Sequence, residues 1–180
     1  MNFDDLFMNE AYLYAFKSKD IRTQVGANIV KSHIHENNTN KRISIMKGYN
    51  GPLSGFDDNK PGLYVKPYKD FAMEHAERNA IYNCAKVGQS CDDCTIYVTC
   101  YPCADCARAI IQSGIKKVMI HNQLKIPHLN ESSNYAKEFF DECGVKVEEW
   151  SGELFFNHAL RFCGNSYLWD TTKHQWLIQE

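Results

Sequence analysis

The stretch His75-Ala76-Glu77, followed by Pro102-Cys103-Ala104-Asp105-Cys106, holds the residues around which the rest of the chain is arranged. One imidazole and two thiolates are three of the four ligands of a tetrahedral zinc ion, which leaves one position open for water. A carboxylate two residues from the histidine is placed to move the protons of that water. The pattern therefore predicts a catalytic metal site, with His75, Cys103 and Cys106 as ligands and Glu77 as the proton carrier.

The spacing of these residues also predicts how the chain presents them. Cys103 and Cys106 are three residues apart, so both thiols face one side of a helix's first turn. The partial positive charge at a helix start favours thiolates over thiols there. His75 and Glu77 are two residues apart and converge only near the start of a helix. We therefore expect two helix N-termini that face one another.

A closed structural zinc site is the alternative, with Cys91, Cys94 or Cys100 as the fourth ligand. Structural sites usually show two paired ligand motifs and need no adjacent glutamate, so the catalytic interpretation is favoured. Cys91 and Cys94 also form a second C-x-x-C, which with His121 or His128 would make an additional structural zinc site. Two free cysteines in a loop are the simpler interpretation of that second motif.

Composition limits the class of protein. The 180 residues are 44% hydrophobic and 23% charged, which is typical of one globular domain. A net charge of −2 and a pI near 6.4 argue against the basic surface of a nucleic-acid-binding protein. Met1 to Glu10 lack the basic residues that open a signal peptide, no apolar run is long enough to span a membrane, and the eight cysteines suit reduced thiols. We expect a soluble cytoplasmic protein without nucleic-acid or membrane partners.

The apolar patterns predict the element order α-β-β-α-β-α-β-α-β. A long connection over residues 50–70 is typical of a functional loop, although a tolerated surface insertion is the alternative. This order predicts an α/β domain over residues 1–150, with helices on both faces of a mixed five-stranded sheet. Residues 151–180 are rich in aromatics, so we expect an extension packed on the domain or on a neighbouring subunit. The predicted helices cover residues 4–17, 71–86, 102–113 and 131–143; the strands cover 25–30, 43–49, 95–99, 118–120 and 145–150, with a polar hairpin loop at 33–42.

Short stretches within Ser18 to Ala27 and Gly48 to Gly51, together with the metal motif, resemble the deoxycytidylate (dCMP) deaminases. H-x-E with P-C-x-x-C is the signature of the whole superfamily of zinc-dependent nucleobase deaminases, and the other stretches narrow it to this family. The resemblance covers residues 11 to 149 and implies the three-layer α/β/α cytidine-deaminase-like fold. The stretches are Ser18-Lys19-Asp20, Val25-Gly26-Ala27, Gly48-Tyr49-Asn50-Gly51, His75-Ala76-Glu77-Arg78-Asn79-Ala80-Ile81, Tyr97-Val98-Thr99-Cys100-Tyr101-Pro102-Cys103 and Ile110-Ile111-Gln112-Ser113-Gly114-Ile115-Lys116-Lys117-Val118.

The resemblance implies hydrolytic deamination of dCMP to dUMP and ammonia, which supplies dUMP for thymidylate synthesis. Zinc would be the catalytic cofactor, Asn50 would contact the sugar 3′-hydroxyl, and Ala76 would line the substrate site. Many family members grip the substrate 5′-phosphate with a Tyr-Arg pair after the fourth strand, which is Asn122-Gln123-Leu124-Lys125 here. Lys125 would then replace the arginine without its bidentate fork. Lys17, Lys19 and Arg22 are further phosphate candidates, or solvated surface charges.

The resemblance also implies regulation by nucleotides. The resemblance implies an allosteric homohexamer. dCTP would activate it and dTTP would inhibit it, with Mg²⁺ bound to the effector phosphates. Gly26, Gly48, Gly51 and Asn79 would lie near such an effector site.

Two other functions compete with this one. The first is deamination of another substrate, such as a modified dCMP, a free base or a tRNA adenosine. A nucleic-acid editor requires a basic groove with stacking aromatics, which the acidic pI disfavours. The second is a zinc-binding module without catalysis, for which Glu77 would have no proton to move.

Overall fold

The computed structural model describes residues 2–34, 40–121, 131–155 and 159–179. In chain order the elements are α1 (Phe3–Ala15), β1 (Gly26–Ile34), β2 (Asn40–Tyr49), β3 (Gly51–Pro52), α2 (Tyr68–Ala72), β4 (Met73–Glu74), α3 (Ala76–Lys86), β5 (Cys94–Val98), α4 (Ala104–Gln112), β6 (Lys117–Ile120), α5 (Glu131–Glu142), β7 (Lys146–Glu149), β8 (Ala159–Phe162), β9 (Asn165–Asp170) and β10 (Gln175–Gln179).

A mixed five-stranded sheet forms the centre of the molecule, with the strand order β2-β1-β5-β6-β7. β1 is antiparallel to both β2 and β5, whereas β5, β6 and β7 run parallel. Parallel neighbours need crossover connections, and α4 and α5 supply them. The predicted mixed five-stranded α/β architecture is confirmed.

Alternate residues of each central strand face opposite helical layers, as the two-residue period of a strand requires. In β5, Ile96 and Val98 are buried in an apolar cluster that includes residues of α3, α4 and α5. Tyr97, between them, is buried in a second cluster with Phe7 of α1. The sheet is therefore the middle of three layers.

The predicted helix over residues 71–86 is wrong at its start. α2 ends at Ala72, Met73 and Glu74 form β4, and α3 begins only at Ala76. The break has a physical reason, because Met73 and Glu74 pair with β3 and so take an extended conformation. This short pairing ends the long connection and fixes where α3 begins.

The predicted hairpin loop at 33–42 is also shorter than expected. β1 continues to Ile34 and β2 begins at Asn40, with His33 opposite Lys41 in antiparallel register. Polar residues extend the pairing here because β2 is the edge strand, where side chains reach solvent. Residues 35–39 lie outside the described part of the chain.

Beyond β7, the chain forms a separate antiparallel sheet in the order β10-β9-β8. Leu160, Phe162 and Trp169 from this sheet are buried in the same cluster as Phe7 and Tyr12 of α1. The division of the chain at residue 150 remains a prediction. Within the described residues, no helix is both long and apolar enough to cross a membrane.

Gly26 allows α1 to lie directly against the start of β1. A Cβ atom at this position would be 1.9 Å from the Ala11 carbonyl oxygen and 2.7 Å from the Ala15 nitrogen, both backbone atoms of the helix. We expect Gly26→Ala to lower the free energy of unfolding by about 2 kcal/mol, because the helix must move away. Urea unfolding of the zinc-loaded protein measures this loss.

Gly51→Ala is the matched control for that measurement. A Cβ atom there would meet only the Tyr49 side chain, at an ordinary contact distance of 3.5 Å. Both substitutions reduce the entropy of the unfolded chain equally, so their difference isolates the steric term. Equal stability of the two variants would contradict the close approach at Gly26.

Candidate active site

Two helix starts bring the residues of the metal motif together. His75 is the N-cap of α3 and Cys103 is the N-cap of α4, both with extended backbone conformations. Cys106 follows in the first turn of α4, so its thiol lies on the same side as that of Cys103. The Nδ1 atom of His75 lies 3.5 Å from the Sγ atom of Cys103 and 3.5 Å from the Sγ atom of Cys106.

This donor set suits a zinc ion. One donor atom from each of the three residues lies within 4.8 Å of the others, the only such group of three or more among the described residues. Nitrogen and thiolate sulfur are ligands that zinc prefers, and three protein ligands leave a fourth position open. Cys91, Cys94 and Cys100 are not members of the group. A closed structural site with one of them as fourth ligand is therefore not formed.

The cluster also has unusual proton affinities. A hydrogen bond with the Cys106 thiol lowers the pKa of Cys103 to about 3, so its sulfur carries negative charge. The hydrogen bond with Cys103 in turn raises the pKa of His75 to about 9, and the same thiol pair raises the pKa of Cys106. Metal ligands must be deprotonated, so uptake of zinc here is coupled to the release of protons.

Glu77 lies beside these ligands in the first turn of α3 and is only 4% exposed. Burial raises the pKa of its carboxyl group, while the charge of His75 opposes that rise. A carboxyl group with a raised pKa accepts a proton more readily than an exposed one, which suits a group that takes up a proton and returns it in one reaction cycle. The position and environment of Glu77 are therefore those of an acid–base group.

A cavity of about 480 Å³, termed here the active-site cavity, opens above the cluster. Its size is in the range of small-molecule sites. His75, Glu77 and Cys103 line it. Further lining comes from the segment before β1, the segments before α3 and α4, helix α5, and the end of β8 with the turn after it. Asn50, Ala76 and Arg22, which sequence reasoning assigned to the substrate, all line this cavity.

Asn50 is held by the chain segment that precedes β1. Its Oδ1 atom accepts a hydrogen bond of 2.8 Å from the Val25 backbone, and its Nδ2 atom donates one of 2.8 Å to the Thr23 carbonyl. Nδ2 also lies 3.4 Å from Oδ2 of Asp20. The side chain thus fixes the cavity wall, and its contact with a sugar hydroxyl remains a prediction.

The cationic candidates for the phosphate separate into two groups. Arg22 lines the active-site cavity, and its guanidinium makes no ion pair within the described residues. Lys19 instead faces a different cavity, where its Nζ atom pairs with Asp58 at 2.8 Å. Lys125 lies outside the described residues.

Two lysines that sequence reasoning missed also line the active-site cavity. Lys69 forms a buried ion pair of 2.7 Å with Asp20, and Lys66 forms an exposed one of 3.3 Å with Asp70. Both lie at the end of the long connection over residues 50–70. The length of this connection was the only feature of the sequence that indicated a functional role there.

The second cavity, of about 350 Å³, contains some of the predicted effector residues and not others. Gly51 and Asn79 line it, together with Lys17 and Lys19. Gly26 and Gly48 do not line this cavity. Each of them instead lies against the backbone of a helix, α1 for Gly26 and α3 for Gly48. A Cβ atom on Gly48 would lie 2.3 Å from the Ala76 carbonyl oxygen of α3.

The second C-x-x-C does not meet His121. Cys91 and Cys94 are buried in the cluster between the sheet and α3, α4 and α5. His121 lies on the opposite face, where its Nδ1 atom is 2.7 Å from the Tyr12 hydroxyl. A zinc site that combines these residues is therefore not formed, and His128 lies outside the described residues.

Comparison with known proteins agrees with this geometry. Residues 1–122 match the family model described as the cytidine and deoxycytidylate deaminase zinc-binding region. The chain is 35% identical to human deoxycytidylate deaminase over 160 residues, which cover 83% of this chain and 80% of the human protein. Over a shorter range of 83 residues it is 58% identical to the deoxycytidylate deaminase of enterobacteria phage T2, covering 42% of this chain and 44% of the relative.

A solved structure gives the same result for the fold. The dCMP deaminase of cyanophage S-TIM5, crystallised in complex with dCMP and dUMP, is similar with a TM-score of 0.60 and 29% identity. The similarity covers 83% of this chain and 99% of the cyanophage protein. A matched zinc-binding region, a human relative aligned over most of its length and a common fold lead to one conclusion: the chain belongs to the family of cytidine and deoxycytidylate deaminases.

Proposed function

We propose that this protein is a zinc-dependent dCMP deaminase, which converts dCMP and water to dUMP and ammonia. The observation that carries the proposal is the three-donor cluster of His75, Cys103 and Cys106 beside the buried carboxyl group of Glu77. Relatives named deoxycytidylate deaminase, and the cyanophage enzyme that binds dCMP and dUMP, support this choice of substrate.

His75, Cys103 and Cys106 are the proposed zinc ligands. When bound, zinc supplies a Lewis acid that lowers the pKa of a coordinated water toward about 7. The N-terminus of α4 adds its partial positive charge at Cys103 and Cys106, which favours the thiolate forms that bind metal.

Glu77 carries the protons in the proposed reaction. Its carboxylate accepts a proton from the attacking water and delivers it to the ring nitrogen next to C4 of the cytosine. The hydroxyl oxygen adds to C4. Glu77 then accepts the remaining proton of that hydroxyl group and passes it to the amino group. The bond between C4 and the exocyclic nitrogen breaks, which releases ammonia and leaves a carbonyl at C4. Burial keeps bulk water from competing for these protons.

We expect Glu77→Gln to reduce kcat for dCMP by about a thousandfold while zinc remains bound. The amide keeps the size of the side chain and cannot accept the water proton. Ammonia release measures the rate, and metal analysis of the same sample measures zinc.

Glu142→Gln, at the exposed end of α5, is the matched control and should keep the parental rate. A Glu77→Gln variant that retains zinc and releases ammonia as fast as the parent would refute the acid–base role. An inactive parent with bound zinc would instead favour a zinc-binding module without catalysis.

Arg22 is the proposed contact for the substrate phosphate. It lines the active-site cavity with an unpaired guanidinium, whereas the ammonium groups of Lys66 and Lys69 are paired with carboxylates. A guanidinium can bind a phosphate through two parallel hydrogen bonds. Arg22 is therefore a stronger candidate than Lys19, which faces the second cavity.

We expect Arg22→Ala to lower kcat/KM for dCMP by about thirtyfold, because a charge-assisted hydrogen bond to the phosphate is lost. The rate with deoxycytidine, which has no phosphate, should change little. Steady-state assays with both substrates give the ratio, and Lys137→Ala on the exposed face of α5 controls for the loss of one charge. Equal losses with both substrates would contradict a phosphate contact, and a parent that does not prefer dCMP would refute the proposed substrate.

The proposal extends to a homohexamer regulated by dCTP and dTTP, which the resemblance to dCMP deaminases implies. The second cavity offers a place for a nucleoside triphosphate, since two basic residues, Lys17 and Lys19, line it. Control by end-product nucleotides would suit an enzyme that supplies dUMP for thymidylate synthesis. Mg²⁺ on the effector phosphates is part of the same proposal.

We expect dCTP to raise the rate at low dCMP by about fivefold and dTTP to oppose this effect, as is typical of allosteric coupling. Lys19→Ala should reduce the ratio of the rates with and without dCTP, because a cation of the second cavity is lost. Assays with and without Mg²⁺ test its part in the response. Rates that neither nucleotide changes would refute the proposed regulation.

A further inference from the structure

The end of β8 and the turn that follows it are hydrogen-bonded to the chain segment that forms one wall of the active-site cavity. We name Arg161–Gly164 the C-terminal turn and Asp20–Gln24 the wall segment. Three of their bonds join backbone to backbone or backbone to hydroxyl: the nitrogen of Gln24 donates to the carbonyl of Arg161 at 2.8 Å, the nitrogen of Gly164 to the carbonyl of Arg22 at 2.8 Å, and the nitrogen of Cys163 to Oγ1 of Thr23 at 3.1 Å.

Arg161 and Gln24 add two side-chain bonds to this connection. The Nε atom of Arg161 donates to the Asp20 carbonyl at 3.0 Å, and the backbone nitrogen of Arg161 donates to Oε1 of Gln24 at 3.0 Å. The turn thus holds the wall segment at its first residue, its middle and its last residue.

Both partners of this connection line the active-site cavity. Asp20, Arg22 and Thr23 line it from the wall segment, and Phe162 and Cys163 from the C-terminal turn. The turn is anchored on its other side, because Leu160, Phe162 and Trp169 are buried against α1. The wall segment that carries the proposed phosphate contact is therefore joined, through the turn, to the cluster packed on α1.

The wall segment also makes hydrogen bonds of its own and to other parts of the chain. Within it, the Asp20 carboxylate accepts bonds from the backbone nitrogens of Arg22 and Thr23 at 2.8 Å and 3.1 Å. Asn50 donates to the Thr23 carbonyl, Lys69 donates to the Asp20 carboxylate, and Nε2 of Gln24 donates to the Ser18 carbonyl. Within the described residues, the bond from the Gly164 nitrogen to the Arg22 carbonyl is the one that joins the Arg22 backbone to an element outside the wall segment.

We propose that Arg161 and the C-terminal turn position the wall segment, and through it Arg22, for binding the phosphate end of the substrate. This inference rests on the proposed function and adds a role for the extension beyond β7. Arg161 does not line the cavity, so it acts as a positioning residue. Phe162 and Cys163 complete the cavity surface beside the segment that they hold.

The test compares Arg161→Ala with Arg161→Lys in the zinc-loaded full-length protein. We expect Arg161→Ala to raise KM for dCMP by about tenfold, as the loss of a charged hydrogen-bond donor predicts, with kcat nearly unchanged. Arg161→Lys keeps a cationic donor and should restore most of the affinity. Lys173→Ala, which removes an exposed cation from the turn between β9 and β10, is the matched control.

Hydrogen exchange gives a second measurement that does not depend on the substrate. Amides of residues 20–25 should exchange faster in Arg161→Ala than in Lys173→Ala, while amides of α1 and β5 keep their protection. Faster exchange throughout the chain would indicate general destabilisation and overturn the positioning role. Equal exchange of residues 20–25 in the two variants would overturn it as well.

The two proposals fail in different ways. A parent that does not deaminate dCMP refutes the proposed function, and the exchange comparison then decides the role of Arg161 alone. A parent that deaminates dCMP, with the same KM in Arg161→Ala and Lys173→Ala, refutes the positioning role and leaves the proposed function intact.

Discussion

The close approach of helices to strand backbone is the constraint on which the site depends. Gly48 lets α3 lie against β2, where any Cβ atom would meet the Ala76 carbonyl. The first residue of α3 is therefore fixed relative to the sheet, and His75 immediately before it is fixed as well. Cys103 takes the same position before α4. Because both ligand-bearing residues are helix caps, small shifts of either helix would change the distances among the three metal donors.

Asp20 has a comparable structural role in the wall segment of the cavity. Its buried carboxylate accepts hydrogen bonds from two backbone nitrogens of its own segment and pairs with Lys69. A buried charge is costly unless it is paired and hydrogen-bonded, so this arrangement strongly disfavours other conformations of the segment. Asp20 is thus an organiser of the cavity wall, although its carboxylate is already fully engaged. The open guanidinium of Arg22 is left for a ligand.

The sequence was sufficient to predict the metal ligands and the acid–base residue. It was insufficient to predict which cation faces the substrate phosphate, because that depends on the folded chain. Metal ligands and their acid–base partner are constrained to specific side chains at short spacing, so His75, Glu77, Cys103 and Cys106 could be selected without coordinates. The sheet was equally predictable from strand and helix periodicity. The start of α3 was not, because the pairing of β3 with β4 interrupts a helical pattern through distant backbone contacts. Lys19 and Arg22 have similar sequence contexts, and only the folded chain places them in different cavities.

The same distinction explains why the C-terminal turn leaves no motif. Three of its five bonds to the wall segment use backbone donors and acceptors, or a backbone donor with a hydroxyl, which many sequences can supply. Such a contact depends on the backbone conformation of the turn, where Cys163 and Gly164 have positive φ angles of 50° and 86°. Metal ligands and acid–base residues form sequence motifs, because their roles require particular side chains. Residues that position a substrate through main-chain contacts become visible only once their partners are known, and Arg161 is found in this chain by its bond to the Asp20 carbonyl.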